Sequence, residues 1–233
     1  MSQNILSFVY TAAMHRLQQH IFGLLINNPS LRYARLKPAE VEGNLFMYHL
    51  RALINQGWVH KRPDGQYELT PEGKRYADTL SLKTLTPRIQ PRIVTLLAVR
   101  DDKGRWLLFR RKRHPMLGWV GFPYGKIHLG ESVSEAAHRE LKEKTGVEAK
   151  LVHRGDGYIT FYENAEAISQ IFFHLFIGTN PHGSLKKNPP SGTVFWGRLE
   201  DADNTYMPSL ADLAKLIDNN SKERFFSELE YKV

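Results

Sequence analysis

"GKIHLGESVSEAAHRELKEKTGV", residues 125–147, is the stretch that decides the fold. Ser132 and Glu135 form an S-x-x-E capping box and Gly146 supplies a C-terminal stop, so the spacing predicts a helix between them. At about 100° per residue, Glu140 falls within about 20° of Val133, the centre of a stripe that includes Ala136 and Ala137. Lys144 lies about 40° from Glu140 on one side and Glu143 about 60° on the other, while Arg139 and Lys142 point elsewhere. A carboxylate on an inward stripe needs a charged partner to offset its desolvation. Clustered acids suit a hard divalent cation, yet here a lysine stands among them. Glu140 and Lys144, four residues apart with the glutamate first, also make the favourable helical ion pair. Lys144 can thus take the space that a cation would otherwise fill.

The flanking segments read as strands. RIVTLLAVR (92–100) and RWLLFRRK (105–112) flank a tight turn ending in Lys103-Gly104. GWVGF (118–122), VHRGDGYITFY (152–162), AISQIFFHLFIG (167–178) and TVFWGRL (193–199) are further strand candidates, and 209–218 reads as a closing helix. The fold class expected for residues 92–233 is α+β, with a mixed sheet and flanking helices.

Upstream the texture is helical. Apolar residues recur at helical spacing over 8–27 (Val9, Ala12, Ala13, Leu17, Ile21, Leu24, Leu25), and Asn27-Asn28-Pro29 ends the run. A short helix is expected at 31–37 and a longer one at 42–56, with Leu45, Leu50, Leu53 and Ile54 as its core face. Two short strands follow around Pro63-Asp64-Gly65. Thr70 then caps a further helix, with Pro71 at its first position. SLKTLTPRIQP (81–91) reads as the region where the chain divides, giving a domain over 1–84, a linker at 85–91 and a second domain over 92–233.

Bulk properties narrow the function classes. With 233 residues and no cysteine, disulfides, thiol catalysis and cysteine metal sites are excluded. The net charge of +8 and a pI near 9.6 favour anionic partners or simply keep the protein soluble. No run of about eighteen apolar residues suggests a membrane span, and the opening residues lack a signal-peptide pattern. Cytoplasmic residence is the expectation.

Two resemblances follow. Residues 125–147 resemble the Nudix box, G-x5-E-x7-R-E-U-x-E-E-x-G-U, with Gly125, Glu131, Arg139, Glu140, Leu141, Glu143, Gly146 and Val147 in register. GWVGFPYGK (118–126) is similar to the family's approach to the box, with Tyr124 where glycine is common. Members of that family hydrolyse nucleoside diphosphates linked to another moiety, using box glutamates to hold Mg2+ or Mn2+. The resemblance implies Glu140 and Glu143 as metal ligands and catalytic residues. It also implies Glu131 as a further ligand or support, Arg139 as the residue that orients the glutamates, and Gly125 as a point of close backbone approach to ligand. Lys144 departs from the pattern where its second paired glutamate belongs. An ammonium there removes an attraction and adds a repulsion, so weakened metal binding is expected. Separately, residues 31–77 resemble winged helix-turn-helix domains of bacterial transcription regulators, on NLFMYHLRALINQGWVHK and YELTPEGKRYAD. That implies helix 42–56 in the major groove, with Asn44, Tyr48, His49 and Arg51 as groove or phosphate contacts. Lys61, Arg62, Lys74 and Arg75 would then contact phosphate.

Other residues carry weaker signals. Arg110 and Arg111 open a basic run that either binds ligand phosphates or is a solvated turn. Glu163 and Glu166 stand in a loop that either serves the site late or is merely solvated. His128, His138 and His153 lack metal-ligand spacing and read as surface or packing residues. Tyr158, Phe161 and Phe172 read as core aromatics. Together these features lead us to expect a DNA-binding, homodimeric regulator that senses a nucleotide or sugar-phosphate metabolite with weak or no hydrolysis. The alternative is an active Mg2+-dependent hydrolase of a nucleoside diphosphate derivative, with the N-terminal domain used for dimerisation or regulation.

Overall fold

The computed structural model describes residues 14–187, 189–219 and 223–233. The chain divides into two compact units, Met1–Ile89 and Gln90–Val233. The first contains helix α1 (Arg16–Ile26), strand β1 (Leu31–Arg32), the one-turn helix α2 (Tyr33–Leu36) and helix α3 (Gly43–Asn55). Strands β2 (Val59–Lys61) and β3 (Gln66–Leu69) and helix α4 (Pro71–Asp78) follow. Of the helix expected over 8–27, residues 8–13 lie outside the described residues, and His15 caps the described part through a reciprocal pair with Gln18. The helix expected at 31–37 is instead two residues of strand and a short turn of helix, because Leu31 and Arg32 pair with Tyr67 and Gln66.

Thr70 accepts a hydrogen bond from the Gly73 amide, and Pro71 sits at the first turn of α4, as the capping pattern requires. The core face of α3 is rotated from the expected one. Phe46, His49, Leu50 and Leu53 are buried, at i, i+3, i+4 and i+7, whereas Leu45 faces outward. Around them Ile21, Phe22, Leu36, Trp58 and Tyr76 complete one apolar core. Residues 79–88 form a hydrogen-bonded loop, in which Ser81 donates to Thr86 and Arg88 to Thr79 through their backbones.

The second unit begins with β4 (Arg92–Val99) and β5 (Trp106–Arg111), then the short strands β6 (Val120–Gly121) and β7 (Tyr124–Lys126). Helix α5 (Val133–Thr145) leads into the long hairpin β8 (Val147–Glu163) and β9 (Glu166–Gly183). Strand β10 (Gly192–Gly197), helix α6 (Pro208–Asn219) and strand β11 (Phe225–Lys232) close the unit. A five-stranded sheet runs β11-β8-β9-β4-β7, and β10-β5-β6 form a second sheet. The larger sheet is mixed: β4 lies parallel to β9 and β11 parallel to β8, while the other pairs are antiparallel. Strand β11 was not foreseen from the sequence. The helix expected at 209–218 is α6.

Two apolar layers position the site. Phe173, Leu175, Leu96, Ala98 and Ile159 pack with α6 on one side. Leu97, Val99, Phe176 and Ala149 pack on the other side, against Ala137 and Leu141 of α5. The capping box and the left-handed Gly146 fix the two ends of α5, and the buried Ala137–Leu141 stripe sets its rotation. Among the described residues no helix is long and apolar enough to cross a membrane. Leu141 is 1% exposed, so Leu141→Ala is expected to cost about 2–5 kcal/mol of stability, measured by urea unfolding.

Candidate active site

The chemistry gathers where the inward face of α5 meets β7. Glu140 is buried, and a side chain at Gly125 would strike its carboxyl group. Only glycine at 125 lets the helix carboxylate lie against the strand. The close approach at Gly125 in this structure is to a protein group, Glu140.

Arg139 does not point away from this group. Its guanidinium folds back, donating to both oxygens of Glu131 at 2.6 and 2.8 Å and to the Lys126 carbonyl at 3.0 Å. It also donates to Glu140 Oε1 at 3.0 Å and Glu143 Oε2 at 3.3 Å. Hydrogen bonds from Arg139 and from the His128 backbone hold the Glu131 carboxyl down to about 2, and the carboxylates push the Arg139 pKa up. Glu131 therefore positions the site, with both oxygens committed to protein donors. Glu143 is largely exposed, and its backbone carbonyl accepts from Lys186 Nζ at 2.6 Å.

Lys144 supplies the other cation. Its Nζ donates to the Tyr124 carbonyl and stands 3.7 Å from Glu140 Oε2. The ammonium also lies over the Tyr124 ring at 4.4 Å and the Phe109 ring at 5.6 Å. Burial pushes its pKa down to about 8 against the pull of Glu140, with Arg113 and Arg111 adding repulsion. At neutral pH it stays protonated in the main.

The oxygens of Glu140, Glu143 and Tyr124 are the donor class that suits Mg2+ or Mn2+. Between Glu140 and Tyr124, however, sits an ammonium, and Arg139 takes the remaining Glu140 oxygen. A divalent ion and a protonated Lys144 do not fit this seat together.

Beside it opens a narrow cleft lined by residues such as Arg92, Arg111, Met116, Tyr124, Phe161 and Leu213. Arg111 is buried, donates to the Pro115 carbonyl at 3.0 Å and contacts the Tyr124 hydroxyl. Burial, with repulsion from Arg113 and Arg92, lowers its pKa to about 10, so it remains cationic. Arg110 diverges from its neighbour, with its guanidinium on the Gly118 carbonyl and the Thr205 hydroxyl at 2.9 and 3.0 Å. It braces a loop and does not line the cleft. Glu163 borders a separate hollow with His114, Pro115 and Met116. Phe161 is core, as expected, while Tyr158 and Phe172 are partly exposed and pack edge to face at 5.0 Å. Tyr124 is the main residue that the sequence reading passed over. Its only signal was the presence of a tyrosine where glycine is common.

In the first unit Asn44, Tyr48, Arg51, Lys61 and Arg62 are exposed. Arg62 is engaged with Asp64 and Glu68 at 3.5 and 3.4 Å, and Arg75 pairs with Glu72. His49 corrects its expectation as a groove contact. It is 8% exposed and stacks on His15 at 3.9 Å, because position 49 falls on the inward stripe of α3.

The Glu131–Arg139 pair predicts a pH signature. A carboxyl depressed from 4.5 to about 2 contributes stability that is complete above 4.5 and disappears as pH falls toward 2. Urea unfolding of Glu131→Gln is expected to show a shallower loss of stability than the parent across that window.

Comparison with known proteins identifies the family. The NUDIX domain family model matches residues 90–219. An RNA pyrophosphohydrolase of Caulobacter vibrioides is 28% identical over 138 residues, covering 52% of this chain and 79% of that protein. An ADP-ribose pyrophosphatase of Methanocaldococcus jannaschii is 34% identical over 83 residues, covering 34% of this chain and 48% of that protein. Among solved structures, a MutT protein from Bacillus halodurans aligns with a TM-score of 0.48 at 24% identity, over 60% of this chain and 90% of that one. With the family model spanning more than half of its length and the box glutamates gathered on α5, the chain belongs to the NUDIX family.

Proposed function

We propose that the second unit is an attenuated hydrolase of nucleoside diphosphate derivatives. The observation that carries this reading is the Arg139-organised carboxylate group of α5 set beside a cleft walled by Arg111 and Arg92. Fixed cations at a cleft bind phosphate oxygens and stabilise charge as the phosphoanhydride P–O bond breaks. Glu140, held at Oε1 by Arg139, is the buried carboxylate to which this reading gives the proton of the attacking water, once Lys144 swings away from Oε2. Hydrolysis is slow in this reading because Lys144 occupies the space between Glu140 and the Tyr124 carbonyl. The hydrolase names of the relatives support an enzyme and suggest ADP-ribose and RNA bearing a phosphoanhydride as first substrates to assay.

The assay is a panel of such compounds with Mg2+ or Mn2+. Slow turnover is expected, abolished in Glu140→Gln and raised on the order of a hundredfold in Lys144→Glu, which exchanges the ammonium for a metal-binding carboxylate. Wild-type rates at background, unchanged by Glu140→Gln, would sink the hydrolase in favour of the second reading.

That second reading is a transcription regulator whose NUDIX domain senses a nucleotide-like or sugar-phosphate ligand. It is favoured by the seated Lys144 and by the first unit, whose order of helices, hairpin and helix supports the resemblance to a winged helix-turn-helix. In it α3 reads the groove of a DNA site through Asn44, Tyr48 and Arg51, the β2–β3 hairpin with Lys61 lies on phosphate, and the protein is a homodimer. Mobility-shift assays with promoter fragments at stated salt are then expected to give a shift that weakens with salt and in Arg51→Ala. No shift with any fragment removes the DNA half, and a monomeric mass in solution removes the dimer.

A further inference from the structure

Two histidines and an aspartate meet on β8 and β9, outside the carboxylate site. His153 Nε2 donates to Asp156 Oδ1 at 2.8 Å, and His174 Nδ1 donates to the same oxygen at 2.6 Å. The three ligand atoms all lie within 4.8 Å of one another. The sequence offers no such spacing, because residues three apart on a regular strand point to opposite faces. An irregularity in β8 between His153 and Gly155 breaks the alternation and turns His153 onto the face of Asp156, while Asp156 is the direct cross-strand partner of His174. Bulges often re-aim a side chain in this way beside a functional site.

We propose that His153, Asp156 and His174 form a site for a borderline transition-metal ion, zinc in the first instance, which clips the irregular turn of β8 to β9. Two imidazole nitrogens and one carboxylate oxygen are a donor set that zinc takes, with a fourth position left for water. Tetrahedral zinc with bonds of 2.0–2.2 Å needs its donor atoms roughly 3.3 Å apart. The 2.8 and 2.6 Å hydrogen bonds therefore open by about half an ångström or slightly more to admit the ion. Each imidazole then carries its proton on its other nitrogen, so the ring proton moves within the histidine and no charge is lost. Aromatic walls hold the rings in place, Phe176 beside His153 and Phe172 beside His174, each with centroids 5.1 Å apart.

The neighbouring strand carries a buried polar group beside this cluster's histidine. Thr95 of β4 is the cross-strand partner of His174, is fully buried, and its hydroxyl has no hydrogen-bond partner among the described residues. Buried hydroxyls are rarely left so. The side chains of the trio are 19–30% exposed, which leaves an ion an entry path from solvent. The site is independent of the hydrolase reading, since Glu140, Glu143 and Lys144 contribute nothing to it.

The test uses the full chain, stripped with a chelator and desalted, then titrated with Zn2+ by calorimetry and with Co2+ by its visible absorption. One saturable ion with tetrahedral Co2+ bands is expected. Affinity should fall at least about tenfold in each of His174→Asn, Asp156→Asn and His153→Asn, remain in Glu140→Gln, and persist in excess Mg2+. Zinc should also raise the melting temperature of the parent. No saturable uptake of either ion by the parent, or uptake that survives the His153 and His174 substitutions, overturns the proposal. The parent titration decides the matter even where a variant fails to fold.

Discussion

Arg139 binds three carboxylates at once, and the arrangement of the acidic end of the second unit depends on that guanidinium. Glu131 precedes α5, while Glu140 and Glu143 lie on it, so one side chain ties the helix to the loop that enters it. Without such a cation, three acids on one surface would repel one another, and Glu140 could not stay buried. The fork geometry of arginine suits this task, since five donors allow paired contact with Glu131 and leave others for Glu140 and the Lys126 carbonyl.

Lys144 then completes the neutralisation. Three carboxylates face Arg139 and Lys144, with Arg111 and Arg113 close enough to depress the lysine further. The group is therefore nearly self-compensated, whereas a metal-dependent site keeps excess negative charge in reserve for its ion. This is the physical content of exchanging one glutamate for lysine. Electrostatic demand that an external cation would meet is met internally, and any added cation must first displace a tethered one.

Much of this was legible in the sequence because α5 carries its own boundaries. Ser132, Glu135 and Gly146 mark its ends, and the angular position of Glu140 follows from the helical period. The same arithmetic failed for Arg139, since a long flexible side chain can return to a face that its Cα leaves. His49 was misjudged because histidine is as acceptable on an inward stripe as on a polar one. Strand β11 was missed because it lies at the sheet edge and its alternate residues are only half-buried, interleaved with Glu228 and Glu230. The meeting of His153 with His174 depends on a register shift and a hairpin, neither of which leaves a local signature.

The parallel pairing of β4 with β9 has a kinetic consequence. Arg92 lies opposite Ile171, about 80 residues further along the chain, and β7 lies on the other edge of β4. Closing a loop of that size is an entropic cost that comes before any local reward. Gly125, and with it the seat for Glu140, borders a strand that is secured on both edges only after β9 arrives. The acidic helix can form early on its own caps, but it has a complete surface to dock against only late in folding. Slowing of the β8–β9 hairpin would therefore delay the appearance of a competent site more than that of the helix.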